Sequence, residues 1–221
     1  YYRWLAMAMA GGGWMSDYDT FPLTPLQAAD SAPEKEGGHR PGDQHSMPNG
    51  GDFTVYSVLP GSKKGVPCLM SGRAGEWTRM ALNILEDGLN HPQEKMWTDF
   101  FALMDISGTY ATRDDVVDGE QVLTGKAWDE KDCHITQGKR AVHFSHSSMS
   151  SGVLRKGETM NDRPKIAKSF LQLWRDRCPK QAQEADEAAK TILGKEQALS
   201  RRQARKRRAR MAKREEAKEQ K

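Results

Sequence analysis

DFTVYSVLPGSKKGVPCLMSGRAGEWTRMALNILEDGL, residues 52–89, decides the fold class. Asp52 to Leu59 is rich in β-branched and aromatic residues, and Gly61-Ser62-Lys63-Lys64-Gly65 turns the chain back into Val66 to Met70. One hairpin is too small to be stable in water without a covering layer. The cover follows directly. From Glu76 to Leu89, Trp77, Met80, Ala81, Ile84, Leu85 and Leu89 recur at helical spacing and make one apolar face. After Asn90-His91, Pro92 at a first helical position starts a second helix, whose Met96, Trp97, Phe100, Phe101 and Met104 form a dense apolar stripe. The expected class is therefore α+β: a small helix-covered hairpin body with an extended N-terminal arm and a long C-terminal helix.

Upstream of the hairpin the composition changes. Tyr1 to Met15 joins a short apolar patch to a triple glycine, with Tyr1, Tyr2, Trp4 and Trp14 as anchors that suit either a partner or the chain's own core. Asp17 to Gly51 contains five of the ten prolines together with Gly37, Gly38, Gly42, Gly50 and Gly51. Such a stretch sustains neither a helix nor an inner strand, so residues 1–51 read as an extended Pro/Gly-rich arm. Residues 52–160 then form the small α+β body and 161–221 the C-terminal helices.

Downstream, 106–160 reads as loop-rich, with short strands at Val122-Leu123 and Ala141 to Phe144. Ile166, Phe170, Leu173 and Trp174 line one face of a helix that begins near Pro164 and ends near Cys178. Pro179 restarts it, because proline is tolerated in a first turn. From there the pattern runs to Gln220 through a thin stripe of Ala182, Ala185, Ala189, Ile192 and Leu193, a span of about 60 Å if continuous.

The tail, SRRQARKRRARMAKREEAKEQK (residues 200–221), narrows the choice of partner. Lys195 to Lys221 holds 12 basic and 4 acidic residues, whereas Tyr1 to Gly194 holds 22 basic and 26 acidic ones. The net charge of +4 thus averages an acidic body and a strongly basic tail. A guanidinium binds phosphate through two parallel hydrogen bonds, so an arginine-rich run suits RNA or DNA. The expected RNA-binding residues are Arg201, Arg202, Arg205, Lys206, Arg207, Arg208, Arg210, Lys213 and Arg214.

Catalytic and metal motifs are weak. Gly119 to Lys126 has five residues between its glycines and Ala127 after the lysine, so it is not a phosphate-binding P-loop. Asp114 to Gly119 lacks the ligands of a calcium loop and reads as a solvated acidic turn. Cys133, His134, His143 and His146 are the only grouping of soft ligands, without the paired short spacings of a zinc site. Cys68, Cys133 and Cys178 are scattered and odd in number, a usage that fits a reducing compartment better than a disulfide framework. No apolar run approaches the roughly 20 residues that cross a bilayer as a helix.

Together these readings describe a non-catalytic subunit of a large assembly, without cofactor or metal. The tail resembles in composition the basic helical extensions of ribosomal proteins, which implies contact with the RNA phosphate backbone and with neighbouring proteins. A chain beginning at Tyr1, with no acidic residue before Asp17, fits a processed organelle precursor or a sequence that starts mid-chain. The specific expectation is a mitochondrial ribosome. The alternative is an accessory subunit of a mitochondrial respiratory or ATP synthase complex, with membrane-complex subunits as partners. An enzyme using the His143/His146 region ranks third.

Overall fold

The computed structural model describes the backbone of residues 2–26, 47–93, 96–123 and 133–219; side chains at 195, 196, 199, 203, 206, 207 and from 209 onward are outside that description. The fold is mixed α+β. Helix α1 (Tyr2–Met9) leads into strands β1 (Gly12–Ser16) and β2 (Thr20–Pro22). After residues 27–46 come β3 (Thr54–Val55), β4 (Leu69–Arg73), α2 (Ala74–Leu89) and α3 (Asp99–Asp105). Then follow β5 (Ala111–Thr112), β6 (Val116–Asp118), α4 (Gly119–Val122), α5 (Cys133–Thr136), β7 (Ala141–His143) and α6 (His146–Ser148). Helices α7 (Arg163–Arg177) and α8 (Pro179–Glu219) close the chain.

The strands form two small sheets, ordered β1-β4-β3-β5 and β2-β7-β6. The hairpin read from the sequence is present: β3 pairs antiparallel with β4, and a bridge joins Val58 to Gly65. It is not an isolated ribbon, because β1 pairs with the other edge of β4, Gly13 opposite Gly72. Within the stretch expected to be an arm, residues 2–26 thus carry a helix and two strands, and 27–46 lie outside the described residues. The triple glycine makes this entry possible. Gly11, Gly12 and Gly13 all take positive φ, and a Cβ on Gly12 would sit 2.6 Å from both Ala74 N and Gly72 O. Only glycine fits there.

Each sheet has its own core. Trp4, Phe53, Val55, Met70, Trp77, Met80, Ile84 and Leu103 pack one side, with Trp4 stacked on Phe53 at 5.3 Å. Val142, Phe144, Ile166, Phe170 and Trp174 pack the other, sealed by Ala182 and Ala185 of α8. Between them Tyr56, Cys68, Leu69, Val116 and Ala141 form the seam.

Several expectations change. The second helix begins at Asp99 rather than Pro92, and it buries Ala102 and Leu103 while Met96 is 75% exposed and Phe101 36%. The cause is local: Trp97 stacks on His91 at 3.7 Å and donates Nε1–H to Asp87 Oδ2 at 2.9 Å, which folds 96–98 back on the end of α2. Asp114 to Gly119 is not a solvated turn, since Val116 and Val117 are buried in β6, and Asp118 caps α4 by accepting from Glu120 N–H. Val122 therefore ends a helical turn instead of starting a strand.

The cysteine reading is also corrected: Cys133 and Cys178 are disulfide-bonded, and Cys68 is free and buried. Their separation of 45 residues carries no local signal. The two meet because α5 is moored to the α7–α8 junction, Gln181 Nε2 donating to Cys133 O at 2.6 Å and Trp174 Nε1 to Thr136 Oγ1 at 3.1 Å. A cross-link closing a loop of that size removes unfolded-state entropy worth about 4 kcal/mol in the chain-entropy model. The double variant C133S/C178S is expected to lose about 2–4 kcal/mol in chemical denaturation under non-reducing conditions, and reductant is expected to bring the parent to the same midpoint.

Candidate functional site

The chain leaves the first sheet at Ser16 and enters the second at Thr20. The crossover between them is Asp17-Tyr18-Asp19. Backbone bonds lock it: Asp17 N–H donates to Cys68 O (2.9 Å), Thr20 N–H to Asp17 O (3.1 Å) and Phe144 N–H to Asp19 O (2.9 Å). Two carboxylates are thereby fixed at the seam, one from each sheet's end. Asp17 points to Arg3, whose guanidinium also reaches Asp99 Oδ2 through Nε at 2.9 Å, so α1 and α3 are tied to the turn.

Asp19 is the buried member, 5% exposed. Its Oδ2 accepts from Arg163 Nη1 at 2.9 Å, and its Oδ1 lies 3.3 Å from His143 Nε2. Thr20 pairs with His143 in the ladder of β2 and β7, which is how the imidazole comes to face this carboxylate. Arg163, 4% exposed at the start of α7, also donates Nη1 to Tyr18 Oη (3.0 Å) and is in contact with His146 Nδ1 through Nη2 (3.2 Å). Its Cζ lies 5.4 Å from the centre of the Tyr18 ring. Tyr18 itself is 78% exposed.

Buried polar atoms in folded proteins are almost always hydrogen-bonded, and each exception calls for an explanation. Among the described residues three buried side-chain atoms lack a partner: Asp19 Oδ1, Thr20 Oγ1 and Arg163 Nε. All three fall in this cluster. The 3.3 Å approach of His143 to Asp19 Oδ1 is an ion-pair contact without hydrogen-bond geometry, so that oxygen keeps unused acceptor capacity.

Charge is concentrated here. Burial pushes the Asp17 carboxyl up by more than Arg3 pulls it down. Burial also opposes ionisation of Asp19, but His143 and Arg163 outweigh it and hold that carboxyl below the usual range. For His143, burial disfavours the imidazolium, yet the Asp19 carboxylate and the Cys68 side chain reverse the balance and push it up to about 10.

Of the residues named from sequence, His146 contacts Arg163 and His143 faces Asp19, the carboxylate that Arg163 also holds, while Cys133 is withdrawn into the disulfide and lies with His134 along a separate cavity of about 620 Å³. The basic residues lie along α8, with Arg201, Arg202, Arg205 and Arg208 exposed; the side chains of Lys206, Arg207, Arg210, Lys213 and Arg214 are outside the described ones. Asp17, Asp19, Arg163 and Cys68 were missed as site residues. The available signal was a pair of carboxylates two apart, between Gly12-Gly13-Trp14-Met15-Ser16 and Phe21-Pro22-Leu23. Another acidic and imidazole group, Asp87, His91 and Asp105, brings three potential ligand atoms within 4.8 Å of one another, His91 Nε2 lying 4.0 Å from Asp87 and 3.5 Å from Asp105. Compared with protein-family models, curated proteins and solved structures, the chain gives no match. No helix among the described residues is long and apolar enough to cross a membrane.

The sign of the His143 contribution follows from its raised value in the folded state. A base stronger in the folded than in the unfolded chain contributes fully below its unfolded value of 6.5 and loses that contribution as pH climbs through about 10. The protein is therefore expected to lose stability between those limits in urea titrations, and H143Q is expected to flatten that segment of the profile.

Proposed function

We propose that the chain carries a divalent-cation-dependent site for a phosphorylated substrate, and that Asp19 Oδ1 and His143 Nε2 are its protein donors, the His143 imidazolium giving up its proton to solvent as the cation takes its place between them. The carrying observation is the confinement of the three unpartnered buried polar atoms to this one cluster. A carboxylate oxygen and an imidazole suit Mn²⁺ or Mg²⁺, and Mg²⁺ in particular is held by one or two carboxylates with substrate phosphates completing the shell. The donor atoms of Asp17, Asp19 and His143 do not form a group of three within 4.8 Å of one another. Asp19 and His143 would hold the cation while leaving most of its coordination shell to substrate phosphate and water.

The reaction class that fits is group transfer from a diphosphate ester. In such a transfer an acceptor hydroxyl would form its bond to the transferred group as the bond to the diphosphate oxygen breaks, the diphosphate leaving with the electron pair and the acceptor's proton passing to solvent; Asp19 and His143 would hold the cation that supplies neutralisation of the leaving group's charge. Arg163 keeps Asp19 ionised and oriented. Exposed Tyr18 offers a ring against which the organic part of a substrate can stack. The Cys133–Cys178 disulfide supports folding in an oxidising compartment for this reading.

Calorimetric titration with Mn²⁺ and inorganic pyrophosphate as the probe tests this. The parent is expected to bind Mn²⁺ at least about 10-fold more tightly with pyrophosphate than without, and H143A, with circular dichroism unchanged, is expected to lose that gain. Equal Mn²⁺ affinity in the parent and H143A would overturn the proposal.

A second reading is carried by α8 and its exposed arginines. In it, the basic helix α8 belongs to a structural subunit of a mitochondrial ribosome, lying along RNA phosphates. Ultraviolet crosslinking in cells is expected to recover RNA with the full chain and lose it when the chain ends at Gly194; about 6 contacts on duplex would give a log–log salt slope near −5. Absence of RNA together with co-purification of respiratory or ATP synthase subunits would replace this reading by the accessory-subunit one.

A further inference from the structure

Away from the Asp19 cluster, three ligand-type side chains meet where the end of α2 comes against the end of α3. Asp87 lies in the last turn of α2, His91 two residues beyond its end, and Asp105 is the final residue of α3. Asn90 N–H donates to Asp87 O at 3.0 Å and His91 N–H to Gly88 O at 3.3 Å, so the chain winds on past Leu89 and sets His91 over Asp87. Ala81, Ile84, Ala102 and Leu103 fix the two helices in a shared core. One ligand atom from each of Asp87, His91 and Asp105 then lies within 4.8 Å of the other two.

A simple ion pair does not account for the spacing. His91 Nε2 stands 3.5 Å from Asp105 and 4.0 Å from Asp87, whereas a charge-assisted hydrogen bond would bring it to about 2.7–2.9 Å from one of them. Two donors about 2.1 Å from one tetrahedral ion stand about 3.4 Å apart, so these separations suit a shared cation better than a shared proton. Trp97 holds two of the three groups from behind. Its indole N–H donates to Asp87 Oδ2 at 2.9 Å, leaving Oδ1 to face His91, and its ring lies on the imidazole at 3.7 Å with 14° between the planes. The charge pattern points the same way. Helix α2 has no basic residue in its last turn; Glu86 and Asp87 put carboxylates where a helix already carries partial negative charge. Among the described residues no lysine or arginine pairs with Asp87 or Asp105. Asp87 is largely buried and Asp105 half-exposed, which leaves an open side for an ion to enter.

We infer that Asp87, His91 and Asp105 form a Zn²⁺ site, two carboxylates and one imidazole serving as protein ligands and the fourth tetrahedral position staying open to water or a small ligand. An imidazole in the set favours Zn²⁺ over Mg²⁺ or Ca²⁺, which prefer oxygen alone. His91 ligates as a neutral ring, any proton on Nε2 passing to solvent as the ion enters, and the two carboxylates balance the charge of the ion. The ion fastens the end of α3 to the end of α2. This site stands independently of the reading of Asp19 and His143.

Zn²⁺ titration calorimetry on the chelator-treated full chain tests it, with H143A as the background that disables the Asp19 site. H143A is expected to bind one Zn²⁺, and H143A/H91Q and H143A/D105N are each expected to bind at least about 10-fold more weakly, with circular dichroism unchanged. The Asp105 side chain is half-exposed, so D105N opens no core. H143A/W97F, which keeps an aromatic ring beside His91 and removes the donor to Asp87, is expected to weaken binding about 10-fold. Co²⁺ in place of Zn²⁺ is expected to give the visible absorption of a tetrahedral ion in H143A and to lose it in H143A/H91Q. Zn²⁺ affinity that H91Q and D105N leave unchanged overturns the site. Zn²⁺ bound by the parent but not by H143A belongs to the Asp19 cluster and overturns it equally, as does a parent that binds no Zn²⁺.

Discussion

Everything at the centre of this molecule depends on one buried carboxylate held between two cations. Asp19 sits at the point where the chain passes from one sheet to the other, with Arg163 on one oxygen and His143 facing the second. Removing these charges from water is expensive, and replacing such a group by packed apolar residues is often neutral or stabilising. A fold that needed only a link between two sheets could use an apolar turn. Keeping an acid, a guanidinium and an imidazole there, with three polar atoms left unpartnered, is a cost that a ligand would offset.

The rest of the architecture holds that crossover still. On one side Arg3 ties Asp17 to Asp99, so the first sheet's helices α1 and α3 fix the start of the turn. On the other, the disulfide and the Gln181 and Trp174 hydrogen bonds moor the segment that leads into β7 against the base of α8. Each core is small, and neither sheet has more than four strands. The seam joins them through Tyr56, Cys68, Leu69, Val116 and Ala141, and Tyr56 meets Ser71 in a buried hydrogen bond of 2.7 Å.

How much of this was legible in the sequence varies with how local the cause is. Helix α2 and the α7 stripe follow from periodicity, and the break at Pro179 from proline's missing donor; of the face expected on α2, Trp77, Met80, Ala81 and Ile84 are buried while Leu85 and Leu89 are exposed. The start of α3 depends on Trp97 packing against His91, a tertiary event that overrides the signal of Pro92. The stretch read as an arm hid two strands because β1 and β2 are short and each is held by a partner more than fifty residues away. The site was hidden for the same reason. Asp17 and Asp19 stand 124 or more residues before His143, and only the ladder of Thr20 with His143 brings them together. The disulfide has no local signature at all, and an odd cysteine count pointed the other way.

The most direct test of the central claim is the anomalous difference density of Mn²⁺ in crystals grown with Mn²⁺ and pyrophosphate. The account requires a peak within coordination distance, about 2.0–2.3 Å, of both Asp19 Oδ1 and His143 Nε2, with phosphate oxygens completing the shell. A peak confined to the Asp87, His91 and Asp105 group, or density in which Asp19 and His143 touch only each other, would contradict it.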